Sequence, residues 1–182
     1  MSTFAKIVSL LEAENCRYEL IEHAPEGDTV VASRIRGHAV RDAAKSLVLE
    51  ALGGTGAVEK YYLAVVPGDK RVDLRFLRQV VNAKRLQLAP EHVARMLTGC
   101  GMGAVPPFSF NEELIVLVDM AIAESNRIFF NAGELHRSIA MEGGDFIRIG
   151  RARTGYYAMD NISTEVRCPP SVVDEARDVQ SA

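Results

Sequence analysis

The sequence predicts an α+β fold. Two observations carry this. Helical and extended segments alternate irregularly instead of in a regular βαβ rhythm, and extended segments joined by short Gly-, Pro- or Asn-containing turns dominate, as hairpins do in mixed sheets. A third observation bounds the size: 182 residues with 48% hydrophobic and 25% charged composition suit one core that needs no disulfide or metal staple.

The elements follow in order. Phe4, Ile7, Val8, Leu10 and Leu11 lie at helical spacing, so residues 3 to 15 read as an amphipathic helix capped by Ser2 or Thr3 and stopped by Asn15. Tyr18, Leu20 and Ile21 read as a short strand ending near His23. Ala24 to Asp28 is a turn, and Thr29 is read as the cap of a helix over Val30 to Arg36 that ends at Gly37. A helical turn is expected around Val40 to Ala43. Lys45 to Leu52 is an apolar strand that pairs through the Gly53 to Gly56 loop with Tyr61 to Val66. Asp73 caps a helix to Val81, Arg85 to Leu88 is a short strand, and Pro90 stands in the first turn of a helix that runs to Leu97.

Leu114 to Val118 is a strand, followed by a helical turn that Asp119 caps. Ile128 to Phe130 is a strand, Asn131-Ala132-Gly133 a turn, and Ser138 to Met141 the returning strand. A short helix is expected over Phe146 to Ile149. The pattern fades after Arg153, so residues 1–153 are expected to form the domain and 154–182 an extension or tail, with a weak helix in its last dozen residues.

Composition excludes several classes. The net charge of −3 argues against a generally basic nucleic-acid binder and leaves room for a local basic patch. Cys16, Cys100 and Cys168 form no CxxC, and His23, His38, His92 and His136 have no metal-ligand spacing. No metal or other cofactor is therefore expected. The N-terminus lacks a signal-peptide pattern and no run reaches membrane-spanning length, so a cytoplasmic protein is expected.

The stretch most able to carry chemistry is Gly99-Cys100-Gly101-Met102-Gly103-Ala104-Val105-Pro106-Pro107-Phe108. Glycines admit close approach and the two prolines stiffen the exit, so Gly101 and Gly103 can present backbone N–H groups to an anion or oxyanion. From the loop alone, a tight connector between two elements is the more common fate of such a cluster. Lys45 either snorkels to the surface or projects as a fixed charge into a cleft. Cys100 has no Cys/His signature and reads as structural. His136 and Ser138 follow the Asn131 turn and could face a pocket. Arg34, Arg36 and Arg41 precede the lysine strand. Arg71, Arg75 and Arg78 share a face at helical spacing, either a solvated face or a phosphate track.

Four segments fit one pattern in order: Ala44 to Leu49, Leu63 to Leu74, Leu97 to Phe108, and Phe130-Asn131-Ala132-Gly133. Together they resemble the YbaK/prolyl-tRNA-synthetase-associated editing domain family over residues 4 to 150. With Arg34-Ile35-Arg36-Gly37 and Pro106-Pro107-Phe108-Ser109-Phe110, they are most like its YeaK-like branch. The resemblance implies a single compact domain, with a curved, barrel-like mixed sheet flanked by helices. It implies hydrolysis of the ester on mischarged tRNA carrying a small amino acid, Ser or Thr first and Ala or Cys also admitted.

The family's lysine falls on Lys45 and its glycine loop on Gly103 to Pro107. Lys45 and Gly103 are then the catalytic candidates. The substrate-binding candidates are Ser46, Gly101, Ala104, Pro107, Asn131, Ala132, Gly133, His136 and Ser138, with Arg34, Arg36 and Arg71 toward the tRNA. The implied partners are a mischarged aminoacyl-tRNA and, as an option, a synthetase, with no DNA and no membrane. A non-catalytic tRNA- or synthetase-binding module is the alternative, and hydrolysis of another small ester or thiol chemistry at Cys100 a third.

Overall fold

Side-chain oxygens fix where helices begin. In a computed structural model that describes residues 1–161, Ser2 Oγ accepts from Ala5 N at 3.2 Å and opens helix α1, Thr3–Ala13. Asn15 follows in the left-handed conformation. Strand β1 is Tyr18–Glu22. Helix α2, Thr29–Arg36, is capped by Asp28 and not by Thr29: the Asp28 carboxylate accepts from Val30 N and Val31 N, each at 2.9 Å. A carboxylate binding two terminal N–H groups outcompetes a hydroxyl that binds one. A 3-10 turn at Val40–Asp42 leads into β2, Ala44–Leu52, and β3, Val58–Pro67.

Next come β4 (Lys70–Val72), α3 (Leu74–Val80, capped by Asp73), β5 (Arg85–Leu88) and α4 (Glu91–Thr98, with Pro90 one residue outside as its cap). The rest are β6 (Leu114–Asp119), α5 (Met120–Ala123), β7 (Ile128–Glu134), β8 (Arg137–Met141), α6 (Gly143–Gly150), β9 (Arg153–Gly155) and β10 (Ala158–Asp160).

The strands form a mixed five-stranded sheet in the order β5-β2-β3-β6-β9, a three-stranded sheet β1-β8-β7 and a pair β10-β4. β3 and β6 are parallel, as are β6 and β9, and the other pairs are antiparallel. The α+β class is met. The expected barrel-like sheet is not a closed one in this pairing: β9 adds to β6 without returning to β5, so the large sheet keeps two edges. A single parallel bridge, Ala43 to Phe129, ties the β2 edge to β7.

Two-residue alternation along β2, β3 and β6 sends successive side chains to opposite faces. Val48, Leu63, Val65, Val116 and Val118 join Ile7, Leu11, Phe108, Phe130 and Phe146 in the larger core. Leu49, Tyr62, Ala64 and Leu117 face a smaller one closed by Leu77, Leu86 and Tyr157.

Three further sequence expectations change. Asn131-Ala132-Gly133 is not a turn but part of β7, where the pairing with β8 shifts register between Asn131 and Glu134. Gly133 takes φ +84°, and a Cβ there would lie 3.0 Å from Thr3 Cβ. The chain reverses at Leu135-His136 instead. Arg71 lies in β4, so it shares no helical face with Arg75 and Arg78 of α3. Finally, strand pairing runs past Arg153 into β9 and β10. The anchor is Asp119, only 4% exposed. Its Oδ1 caps Ala121 N at 3.0 Å, and its Oδ2 accepts from Tyr157 N at 2.7 Å and Ala158 N at 2.8 Å.

An Asp119→Ala change orphans three N–H groups at once. It should lower stability by about 2–4 kcal/mol, read as a fall in the denaturant midpoint. An unchanged midpoint would remove Asp119 as the anchor. The expected helix in the last dozen residues lies outside the described residues. Among those described, no helix is long and apolar enough to cross a membrane.

Candidate active site

β2 is covered unevenly along its outer edge. β5 pairs only with Leu49 to Leu52, and Ala89 N donates to Val48 O at 2.9 Å. Beyond Val48 no strand lies opposite until the Ala43–Phe129 bridge. Residues two apart in an antiparallel strand turn their backbone groups to the same side. The Ser46 N–H and C=O therefore share the outward edge with Val48 and stand in the gap. Ser46 Oγ is also buried with no hydrogen-bond partner. A cavity of about 340 Å³ occupies this gap, at the lower end of small-molecule pockets.

Lys45, Ser46, Arg36, Gly101, Gly103 and Asn131 all line the cavity. Six sequence-predicted residues from four distant segments thus share one chamber. Its remaining walls are mainly apolar, among them Ala32, Ala43, Val48, Ala94 and Phe129.

Lys45 does not snorkel. Its Nζ donates to Gly68 O at 3.2 Å, in the turn between β3 and β4, and to Lys70 O at the start of β4. Two of its three ammonium protons are placed and one is left. Burial pushes its pKa below the ordinary lysine value, with Asp69 opposing the shift.

The glycine loop is clamped from three sides. Asn131 Nδ2 donates to Gly103 O at 2.8 Å and to Glu26 O at 3.0 Å. Gly133 N donates to Ala104 O at 3.0 Å. Beyond the buried prolines, Phe108 packs edge-on against Phe130 and Phe146, with ring centres 5.7 and 5.2 Å away. Within the loop, Ala104 N closes a turn on Gly101 O at 3.1 Å. The N–H groups of Gly101, Met102 and Gly103 have no acceptor among the described residues. A fixed loop with free amides on a cavity wall is what stabilisation of an oxyanion requires.

Behind Asn131 lies a polar network. Ser138 is fully buried. Its Oγ donates to Asn131 Oδ1 at 2.9 Å, accepts from Arg36 Nη1 at 3.1 Å and lies 2.6 Å from His23 Nε2. The Ser138–His23 pair has the look of a nucleophile and its base, but Ser138 does not reach the cavity. It supports Asn131 and Arg36 instead. Cys100 lines the cavity, yet burial raises its thiol pKa and Sγ donates to Thr98 O at 3.4 Å, so the reactive thiolate is disfavoured.

The other predicted residues lie elsewhere. Ala104 and Pro107 hold the loop from behind the wall, Ala132 is in the core, and Gly133 binds the loop backbone. His136 sits in the β7–β8 turn with Nε2 3.2 Å from Glu134 Oε2, away from the cavity. Arg34 and Arg71 are exposed and line no part of it. Sequence reasoning missed Gly27, Thr29, Phe129 and Glu91 as lining residues. Gly27 sat in a predicted turn, but nothing local announces that its backbone meets Gly103.

Known proteins resemble this chain in sequence and in fold. A profile of the aminoacyl-tRNA editing domain matches residues 23–149. A multifunctional Ser/Thr-tRNA deacylase, ProXp-y, of Escherichia coli strain K12 is 33% identical over 150 residues, which cover 82% of this chain and 89% of that protein. The ProXp-y of Escherichia coli O157:H7 gives the same figures. Two crystal structures share the fold. A hypothetical protein, APE2540, superposes with a TM-score of 0.75 at 20% identity, over 85% of this chain and 99% of that one. A candidate trans-editing enzyme for prolyl-tRNA synthetase gives 0.71 at 21% identity, over 87% and 98%. The profile match and the one-third identity along most of both sequences lead to one assignment: the chain belongs to the aminoacyl-tRNA editing domain family.

Proposed function

We propose that the chain is a trans-acting deacylase that hydrolyses the ester between a small amino acid, serine or threonine first, and the 3′ end of a mischarged tRNA. The observation that carries this reading is the meeting of Lys45 and the free amides of Gly101 to Gly103 on one small, mostly apolar cavity. The one-third identity to ProXp-y supports Ser and Thr as the preferred side chains.

An aminoacyl ester is already labile, so positioning and electrostatics suffice. The loop amides bind the ester carbonyl oxygen as it becomes negative. Lys45 holds an anionic group of the 3′ terminus by its remaining N–H. Water attacks the ester carbon, its proton passes to the substrate's own amine or ribose hydroxyl, and the ribose oxygen leaves with a proton. No protein nucleophile is required, which fits a buried Ser138 and a disfavoured Cys100 thiolate. The tight walls exclude large side chains, the cheaper kind of discrimination. A protein acting on that substrate would work in the cytoplasm, beside the synthetases that make the errors.

The test is a panel of tRNAs charged with Ser, Thr, Ala or Cys. Ser- and Thr-tRNA should lose their amino acid far above the spontaneous rate, and Ala- and Cys-tRNA more slowly. Binding without hydrolysis of any of the four would replace the enzyme with a tRNA-binding module.

A further inference from the structure

Arg36 lines the cavity as a cation whose hydrogen-bond partners are all neutral. Its Nε donates to Ala32 O at 3.1 Å, and Nη1 to Ser138 Oγ at 3.1 Å and Asn131 Oδ1 at 3.4 Å. A guanidinium has five N–H groups. Those three bonds leave both N–H groups of Nη2 without an acceptor among the described residues. No carboxylate among them pairs with Arg36. Burial alone brings its pKa down, to about 10, so it stays charged at neutral pH. A half-buried cation that lines a cavity with no counter-charge bonded to it is placed to meet an anion that arrives with the ligand.

The position of that charge is fixed relative to the loop. Asn131 bonds Arg36 through Oδ1 and the Gly103 carbonyl through Nδ2. One side-chain amide therefore couples the guanidinium to the peptide group whose neighbours carry the free amides. Ser138, itself held by His23, fixes the other hydrogen of Nη1.

We infer that Arg36 is a further catalytic residue, whose free Nη2 edge donates to the oxyanion formed when water adds to the ester carbon beside the Gly103 loop. The inference rests on the deacylase reading. In the step concerned, the water oxygen bonds to the carbonyl carbon and the C=O pair moves onto oxygen, where Nη2 and the loop amides meet it. The pair then returns and expels the ribose oxygen, which takes the proton the water gave up. Arg36 moves no proton. It also repels the substrate's α-ammonium, which favours the neutral amine able to receive that proton.

The competing source of negative charge is the phosphate of the terminal nucleotide, and two measurements separate the two. The first is the single-turnover rate constant for Ser-tRNA with enzyme in saturating excess. The second is the Kd for the same tRNA uncharged. Arg36→Gln should lower the rate constant about 100-fold and leave the Kd unchanged, with Arg36→Lys recovering only part of the loss. Millimolar guanidinium should restore part of the rate to Arg36→Ala, which a role in packing alone would not allow. A weakened Kd with an unchanged saturating rate would assign Arg36 to the phosphate and overturn the inference. So would an unchanged rate constant. If the wild-type protein deacylates no charged tRNA, the deacylase reading falls first and takes this one with it. If the wild type is active and Arg36→Gln is equally active, only Arg36 loses its role.

Discussion

Gly103→Ala should lower kcat/KM for Ser-tRNA by at least about 100-fold, the loss typical of a displaced oxyanion-hole donor. Gly103 takes φ +78°, a region costly to any residue with a Cβ. The added methyl would lie 2.6 Å from Gly27 Cα and 2.8 Å from Gly27 O. Both are backbone atoms, so no side-chain rotation relieves the clash. Gly27 precedes Asp28, whose carboxylate caps α2, and Asn131 ties Glu26 O and Gly103 O together. The loop is therefore the part that must yield, and its free amides leave the cavity wall with it. Stability should fall by only about 1–3 kcal/mol, the scale of local backbone strain. Gly144→Ala, in α6 and outside the cavity lining, is the internal control. Its Cβ would meet nothing within 4 Å, so activity should hold within a few-fold. Equal activity in both variants would show that the loop amides do not act on the ester.

Much of this was legible in the sequence, for identifiable reasons. β2 and β3 announce themselves because both are apolar enough to feed two cores, and Ser2, Asp73 and Asp119 announce helix starts because each cap acts within three residues. Lys45 and Gly103 stand out as candidates only through the ordered family pattern, and both line the cavity. A lysine at a strand start usually snorkels, and nothing near it in sequence reveals the carbonyls of Gly68 and Lys70.

What escaped depends on long-range contact. Asn131-Ala132-Gly133 has turn composition, yet the register shift in β7 uses the same residue types to bring an amide to the loop. β9 and β10 have three residues each, and Asp119 holds the segment through backbone N–H groups, so they leave no hydrophobic signature. Arg36 looked like one basic residue among several. That no carboxylate among the described residues pairs with it emerges only when α2 lies against Asn131 and Ser138.

Lys45→Ala should cost about 100-fold or more in kcat/KM, and the pH profile identifies the cause. The wild-type ammonium is held by two carbonyls, so its third N–H is aimed without the entropy cost of a free lysine. Lys45→Arg should not restore activity, because a planar guanidinium cannot place one donor between Gly68 O and Lys70 O in the same geometry. Burial puts the folded pKa of Lys45 below its unfolded value of 10.5. Activity that needs the charge should therefore fall as pH rises through the lowered pKa, before an ordinary lysine would titrate. Stability moves the other way. Between the two pKa values the unfolded chain binds more protons, so this residue's contribution to folding rises with pH. An alkaline fall in the rate, corrected for spontaneous ester hydrolysis, is then not unfolding caused by Lys45. The fall should be present in the wild type and weaker in Lys45→Ala, which has no ammonium to lose. An identical alkaline limb in both proteins, or full activity in Lys45→Ala, would remove Lys45 from the reaction.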